Sequence, residues 1–155
     1  MSEQDVPVEE HKCDYSADYP VMGFLQLCAD RRFHACLQKR FQYDAKLESS
    51  LHYWIHADAG GTATMADLTA APDYCYYDKK VRLMGWSAHG DGCGGLPGVP
   101  DDEIRKMLMD VAEIKIAAYP EAVHFVYFAT MKRTAGADEM VLYCCTKRGK
   151  NAGQT

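Results

Sequence analysis

Cysteine, histidine, aspartate and arginine are concentrated in two short segments of the sequence. Cys28, Asp30 and Arg32 stand at alternate positions in the first, and His89 and Cys93 stand among glycines in the second. Thiolate and imidazole suit Zn²⁺, and three protein ligands with one position open for water are typical of a catalytic zinc site. The glycines around Cys93 allow the tight turn that would point His89 and Cys93 at one ion. The sequence therefore predicts a zinc site formed by Cys28, His89 and Cys93, where the pKa of bound water falls toward ~7.

Asp30 and Arg32 are predicted to act together beside this metal. In an extended segment alternate side chains lie on the same side, so both would face the zinc together with Cys28. The Asp30 carboxylate could bind the metal and close the site, or a bidentate pair with Arg32 could hold it away. In the second arrangement Asp30 would orient the metal-bound hydroxide. Without a metal, the two residues would form an ordinary surface ion pair or the charged start of a helix.

The elements that must position these residues are alternating strands and helices. Runs of apolar, branched and aromatic residues predict five strands, at 21–27, 51–57, 81–87, 122–130 and 140–146. Apolar residues at helical spacing predict a helix over 33–45 and a second from Asp101, as N-cap, to the Tyr119-Pro120 pair. Residues 62–80 are ambiguous, with a helical turn or two at 65–71 and a further helix beginning at Pro72.

This alternation predicts an α/β fold, with a mainly parallel central sheet of about five strands and helices on both faces. The last two strands are separated by about ten residues, too few for a helical crossover, so we expect that pair to be antiparallel. In open α/β sheets ligands bind at the carboxyl ends of the strands. The segments that follow the first three strands, with Cys28, with 58–61 and with His89, should therefore converge on one edge.

Length and composition indicate one domain. The chain has 155 residues, a hydrophobic fraction of 48% and a charged fraction of 25%, all ordinary for a globular protein. We expect a polar lead-in at 1–19, a single zinc-binding α/β domain at 20–147 and a frayed tail at 148–155. The net charge of −5 argues against a nucleic-acid partner. The polar first ten residues do not resemble a signal peptide, and no apolar run approaches ~18 residues. We therefore expect a cytoplasmic protein with no membrane partner and with reduced thiols at its seven cysteines.

Three motifs resemble those of the beta-class carbonic anhydrases, in order and in approximate spacing. They are Cys-x-Asp-x-Arg at 28–32, Ala-Gly-Gly at 59–61 and a His…Cys-Gly segment at 89–94. The resemblance implies a parallel α/β core and zinc held by Cys28, His89 and Cys93, with Asp30 and Arg32 as a dyad. It also implies reversible hydration of carbon dioxide to bicarbonate, a small-molecule substrate, and a homodimer or higher homo-oligomer. Ala59, Gly60 and Gly61 would let the backbone approach the substrate pocket, although two glycines also simply turn a chain.

The sequence departs from the family pattern in three places. The family has His-x-x-Cys where this chain has His89-x-x-x-Cys93, and Asn-Ala-Gly-Gly where this chain has Asp58 before Ala59. Residues 1–19 supply little of the helical arm that is typical of the family. Asp91, between the two proposed ligands, is an alternative carboxylate but fits a turn residue better.

Three other functions remain open at this point. The same centre could hydrolyse carbon disulfide or carbonyl sulfide, as relatives of this fold do. A non-catalytic zinc protein would have Asp30 as a permanent fourth ligand. A thiol redox protein is disfavoured because the chain has no Cys-x-x-Cys motif.

Overall fold

The computed structural model describes residues 9–10, 12 and 19–153. Most of the predicted lead-in at 1–19, including Cys13, lies outside the described residues. The helices and strands, in chain order, are β1 (Gly23–Cys28), α1 (His34–Ala45), β2 (Tyr53–Asp58), α2 (Ala70–Asp73), β3 (Leu83–His89), α3 (Asp101–Ala118), β4 (Val123–Thr134) and β5 (Ala137–Arg148). Short 3₁₀ turns occupy Ser50–His52 and Gly61–Thr64.

The strands form one five-stranded sheet in the order β2-β1-β3-β4-β5. β1 pairs in parallel with β2 and with β3, β3 pairs in parallel with β4, and β5 is antiparallel to β4. The predicted α/β fold with a mainly parallel sheet is confirmed, as is the antiparallel last pair. The register aligns Cys28 with Asp58 and His89 with Ala129, so the carboxyl ends of the parallel strands meet at one edge.

Helices cover both faces of the sheet, and each face has its own core. On one face Leu25 of β1 packs with Leu37 and Phe41 of α1. On the other face Phe24 and Cys28 belong to the core that α3 covers. Because successive side chains of a strand point to opposite faces, a strand that is covered on both sides is a continuous apolar run. The same alternation places the Cys28 side chain on the α3 side of the sheet.

The hairpin of β4 and β5 is longer than predicted. The polar segment 131–139, expected to be a loop between the last two strands, instead forms a two-stranded extension with a turn at 135–136. Its side chains are mostly exposed, so backbone pairing rather than buried apolar surface defines it. Since β3 pairs with β4 only as far as Ala129, residues 130–134 project beyond the edge that carries Cys28 and His89.

Two predicted boundaries near the site are wrong by one or two residues. His89 is the last residue of β3 rather than the first of the following loop. Pro100 occupies the N-cap position of α3, and Asp101 is its first helical residue. The physical reason is that the Asp101 carboxylate binds groups outside the helix, the backbone N–H of Asp91 and the hydroxyl of Thr130.

The predicted frayed tail is held further than expected. Arg148 pairs with Val123 at the end of β5. The backbone N–H groups of Gly149 and Asn151 then donate to carbonyl oxygens of Ala122 and Pro120, at 2.9 Å and 2.7 Å. The domain therefore continues beyond residue 147.

The ambiguous stretch at 62–80 forms only short helical turns. The 3₁₀ turn at Gly61–Thr64 precedes α2, and a π-helical turn at Tyr74–Asp78 continues α2. The helix expected from Pro72 therefore begins earlier, at Ala70. In the part of the chain that the structure describes, no helix has both the length and the apolar composition needed to cross a membrane.

Candidate metal centre

The ends of two neighbouring strands and the loop after one of them bring together Cys28, His89 and Cys93. Cys28 ends β1, His89 ends β3, and Cys93 follows four residues later. All three are buried, with 6%, 1% and 3% of their surface exposed. Their ligand atoms lie within 4.8 Å of one another, and His89 Nε2 is 3.1 Å from Cys28 Sγ. The predicted convergence of these residues is thus present, as a buried group that could hold a metal ion.

The imidazole of His89 is fixed with one nitrogen turned toward the thiols. Its Nδ1–H donates to the carbonyl oxygen of Gly90 at 2.7 Å, and its ring stacks on Phe33 with 4.7 Å between ring centroids. A hydrogen bond from one ring nitrogen sets the tautomer in which the other nitrogen carries a lone pair. Nε2 is therefore oriented for coordination.

The two thiols have different electrostatic surroundings. Burial raises the pKa of Cys28, but hydrogen bonds from the protonated, metal-free form of His89 and from the backbone N–H groups of Asp30 and Gly60 outweigh it and lower that pKa from 9.0 to about 7. Burial raises the pKa of Cys93, and the neighbouring Cys28 raises it further. Donors that already surround Cys28 stabilise its thiolate, the form that binds metals.

Gly60 and Gly61 contact Cys28 from the turn that follows β2. The Gly60 N–H donates to the Cys28 sulfur, as described above. Gly61 has a φ of +55°, and a Cβ there would lie 2.4 Å from the carbonyl oxygen of Ser87 and 3.1 Å from the backbone nitrogen of Cys28. Only glycine fits this close approach. The predicted role of Ala59, Gly60 and Gly61 in a substrate pocket stays a prediction, whereas the glycines' packing against β1 and β3 is direct.

Asp30 and Arg32 form the predicted pair, but in a turn rather than in an extended segment. Residues 29–33 connect β1 to α1 as a bend and turn. The Asp30 carboxylate accepts hydrogen bonds from the Arg32 backbone N–H at 2.9 Å, from Nε at 3.1 Å and from a terminal guanidinium nitrogen at 2.8 Å. These bonds to Arg32 lower the pKa of Asp30 from 3.8 to about 2. Asp30 Oδ2 lies 3.7 Å from His89 Nε2, so the pair borders the metal group.

The loop that carries Cys93 is anchored by Asp101 and Asp91, which the sequence predicted mainly as a helix N-cap and a turn residue. Asp101 of α3 accepts a hydrogen bond from the Asp91 N–H at 2.9 Å and another from the Thr130 hydroxyl at 2.6 Å. Gly90 leaves the space for this carboxylate, since a Cβ there would lie 2.3 Å from it. The acidic residue at the helix start was a visible signal, but it pointed to a cap.

Asp91 is the second residue that sequence reasoning undervalued. It has the positive φ, +55°, expected of the turn residue that was predicted. Its carboxylate also accepts hydrogen bonds from Arg32 and from Arg133. Arg133 lies in the hairpin extension, where the sequence predicted a loop, so no signal connected it with this site.

The chemistry of the donor set fits a zinc ion. Two thiols and one imidazole nitrogen are soft-to-borderline ligands that Zn²⁺ accepts readily, and oxygen-preferring ions such as Mg²⁺ and Ca²⁺ would be poorly served. The Asp30 carboxylate is not part of the three-residue group. In this arrangement the protein supplies three donors, the number typical of catalytic zinc sites.

Three histidines outside the metal group, His34, His52 and His56, have local structural partners. His34 Nε2–H donates to the Cys28 carbonyl oxygen at 2.6 Å, and His52 Nδ1–H donates to the Pro20 carbonyl oxygen at 3.0 Å. His56 Nδ1 lies 3.3 Å from the amide nitrogen of Gln26. His34 therefore holds the end of β1 at Cys28.

No protein-family model matches this chain, and no curated protein matches it.

Proposed function

We propose that the protein is a zinc-dependent enzyme of the beta carbonic anhydrase type, which catalyses the reversible hydration of carbon dioxide to bicarbonate. The observation that carries this proposal is the buried Cys28, His89 and Cys93 group beside a carboxylate that an arginine already holds. A structural zinc site has four protein ligands and does not require a carboxylate that an arginine holds beside the metal. A hydration site needs one open position and a group that orients water.

The residues would divide the work as follows. Cys28, His89 and Cys93 would hold the zinc, whose chemical contribution when bound is to activate water at neutral pH. Asp30 is ionised at any physiological pH because Arg32 lowers its pKa to about 2. It can therefore accept a hydrogen bond from the attacking water and orient a lone pair toward carbon dioxide. Arg32 would keep that carboxylate in place, and the buried surroundings would limit competing solvent.

Stopped-flow hydration of carbon dioxide by the zinc-loaded protein tests this proposal, with carbon disulfide and carbonyl sulfide assayed in parallel. Asp30→Asn keeps the shape of the side chain and removes its charge, so we expect kcat to fall by ~10²-fold or more. Asp110→Asn, an exposed position on the outside of α3, is the matched control and should leave kcat unchanged. Hydrolysis of carbon disulfide or carbonyl sulfide without hydration of carbon dioxide would instead indicate a hydrolase of these sulfur compounds.

A non-catalytic zinc protein is the second candidate, because Asp30 Oδ2 lies only 3.7 Å from His89 Nε2. A small rotation of the carboxylate toward the ligand group would make it a fourth ligand. X-ray absorption at the zinc edge distinguishes the two. Two sulfur, one nitrogen and one oxygen neighbour in the wild type, with the oxygen lost in Asp30→Ala and no hydration activity, would support this candidate.

The resemblance also implies a homodimer or larger homo-oligomer, and the cytoplasmic location expected in the sequence analysis likewise stays a prediction. Multi-angle light scattering on the zinc-loaded protein would measure the mass directly. A mass near 17.4 kDa, that of one chain, would contradict the expected assembly.

A further inference from the structure

Four charged side chains run in line from the hairpin extension to the metal group. They are, in order, Arg133, Asp91, Arg32 and Asp30. The first comes from β4, the second from the loop between His89 and Cys93, and the last two from the turn after β1. Three separate segments are thus joined by charge-assisted hydrogen bonds at the edge of the site.

Arg32 stands in the middle and is held from both sides. One edge of its guanidinium grips Asp30, as described above. From the other side the Asp91 carboxylate accepts a hydrogen bond at 3.0 Å, and the backbone carbonyl oxygens of Asp91 and Gly92 accept two more at 3.2 Å and 3.3 Å. A guanidinium that is 39% exposed and has one partner would be loosely held, since isolated surface ion pairs are weak. The loop supplies the acceptors that fix its plane.

Asp91 is in turn fixed by Arg133. The Nε–H and a terminal N–H of Arg133 donate to the two carboxylate oxygens of Asp91, at 3.0 Å and 2.6 Å, in a bidentate pair. Arg133 can reach this loop because β4 continues past Ala129 and places Arg133 four residues further along, a distance of ~13 Å in a strand. The long and mostly exposed hairpin extension therefore contacts the loop between His89 and Cys93 through Arg133.

We propose that Asp91 and Arg133 are positioning residues that lock Arg32 in the orientation in which it holds Asp30 off the metal. The fourth coordination position then stays open to an exogenous ligand. Asp91, which makes this contact with Arg32, lies within the His89-x-x-x-Cys93 segment. This inference rests on the proposed metal site but not on the identity of the reaction.

The test measures access to the metal rather than catalysis. Cobalt(II) replaces zinc, and its visible absorption bands follow the binding of azide at the fourth position. Arg133→Gln removes the charge that holds Asp91, and Asp91→Asn removes the charge that holds Arg32, while each keeps a side chain of similar size. Asparagine also tolerates the positive φ at position 91. Lys132→Gln and Glu139→Gln, which face each other across the same hairpin and are exposed, are the charge-matched controls.

The positioning account and simple electrostatics predict different signs. If Asp30 competes for the metal once Arg32 is released, both variants weaken azide binding, by roughly three- to tenfold each. A purely electrostatic influence on the anion would weaken azide binding in Arg133→Gln but strengthen it in Asp91→Asn. The two controls should shift the azide dissociation constant by less than about twofold.

A double variant locates the effect at Arg32. In an Arg32→Ala background Asp30 is already free, so adding Arg133→Gln should change azide affinity by less than about twofold. Opposite shifts in the two single variants, no shift in either, or an undiminished Arg133→Gln effect in the double variant would each overturn the proposal, as would a wild type that binds no cobalt. If the variants show the predicted azide pattern but the protein has no hydration activity, the proposed reaction is wrong and the positioning role of Asp91 and Arg133 is still supported.

Discussion

Substitution of Gly61 by alanine tests whether the glycines after β2 are needed for packing at the metal group. Two structural costs apply to this change. Position 61 has a φ of +55°, which costs an L-residue ~1 to 2 kcal/mol. The new Cβ would lie 2.4 Å from the Ser87 carbonyl oxygen, a backbone atom that cannot rotate away, and such overpacking costs ~1 to 3 kcal/mol. We expect Gly61→Ala to lower the free energy of unfolding by about 3 kcal/mol.

Two other glycines separate these costs. Gly92 has a φ of +80°, and among the described residues no heavy atom outside its chain neighbours would lie within 4 Å of a Cβ added there. Gly92→Ala should therefore show the conformational cost alone, ~1 kcal/mol. Gly94 has an ordinary φ and open space, so Gly94→Ala should change stability by no more than ~0.5 kcal/mol. The three variants should therefore rank in the order 61, 92, 94.

Urea unfolding of the reduced, metal-free variants, followed by tryptophan fluorescence, measures the three values. Metal-free protein is needed because bound zinc would add its own stabilisation to the folded state. The reasoning is refuted if Gly61→Ala unfolds within 1 kcal/mol of Gly94→Ala. That result would show that the contacts of segment 59–61 with Ser87 and Cys28 do not require glycine at position 61.

Two further predictions concern the metal and pH. Because a metal would occupy both thiolates, zinc should slow alkylation of Cys28 and Cys93 by at least about tenfold, as peptide mass mapping would show, while leaving exposed Cys144 unaffected; equal protection at Cys144 would contradict this. Burial lowers the pKa of His124, whose Nδ1 accepts from Trp86 at 2.9 Å and whose Nε2–H donates to the Tyr119 carbonyl oxygen at 2.9 Å. Below about pH 6.5 the unfolded chain therefore binds a proton at His124 that the folded chain does not bind. The contribution of His124 to the free energy of unfolding is thus complete above that pH and falls as the pH drops below it, by up to ~1.4 kcal/mol per pH unit. Urea unfolding at pH 7.5 and 5.5 should show a smaller loss in His124→Asn, which retains an acceptor for Trp86, than in the wild type, and equal losses would refute the assignment.

The sheet and the grouping of Cys28, His89 and Cys93 could be predicted from the sequence because local pattern and topology agree there. β1 is covered on both faces and so appears as an apolar run, and parallel strands separated by helices must end at a common edge. Cys28 and His89 stand at the ends of two such strands, which places them close together before any side chain is considered.

The contacts around Cys28, His89 and Cys93 join residues that are far apart in the sequence, and no local sequence pattern predicts them. The turn at Asp30 and Arg32 is held partly by Asp91, 59 residues away from Arg32. The hairpin extension that brings Arg133 to the site is polar and exposed, so it lacks the alternation that marks a half-buried strand. Asp101 stands at the start of α3 like a cap, but the groups it binds come from the loop between His89 and Cys93 and from β4.

The zinc content of the purified protein shows whether Cys28, His89 and Cys93 form a metal centre. Cys75→Ser is the matched control, because Cys75 is equally buried but lies outside the ligand group. After dialysis against metal-free buffer, elemental analysis should find one zinc per chain in the wild type and in Cys75→Ser, and almost none in Cys28→Ser. One zinc per chain in a folded Cys28→Ser protein would contradict the assignment.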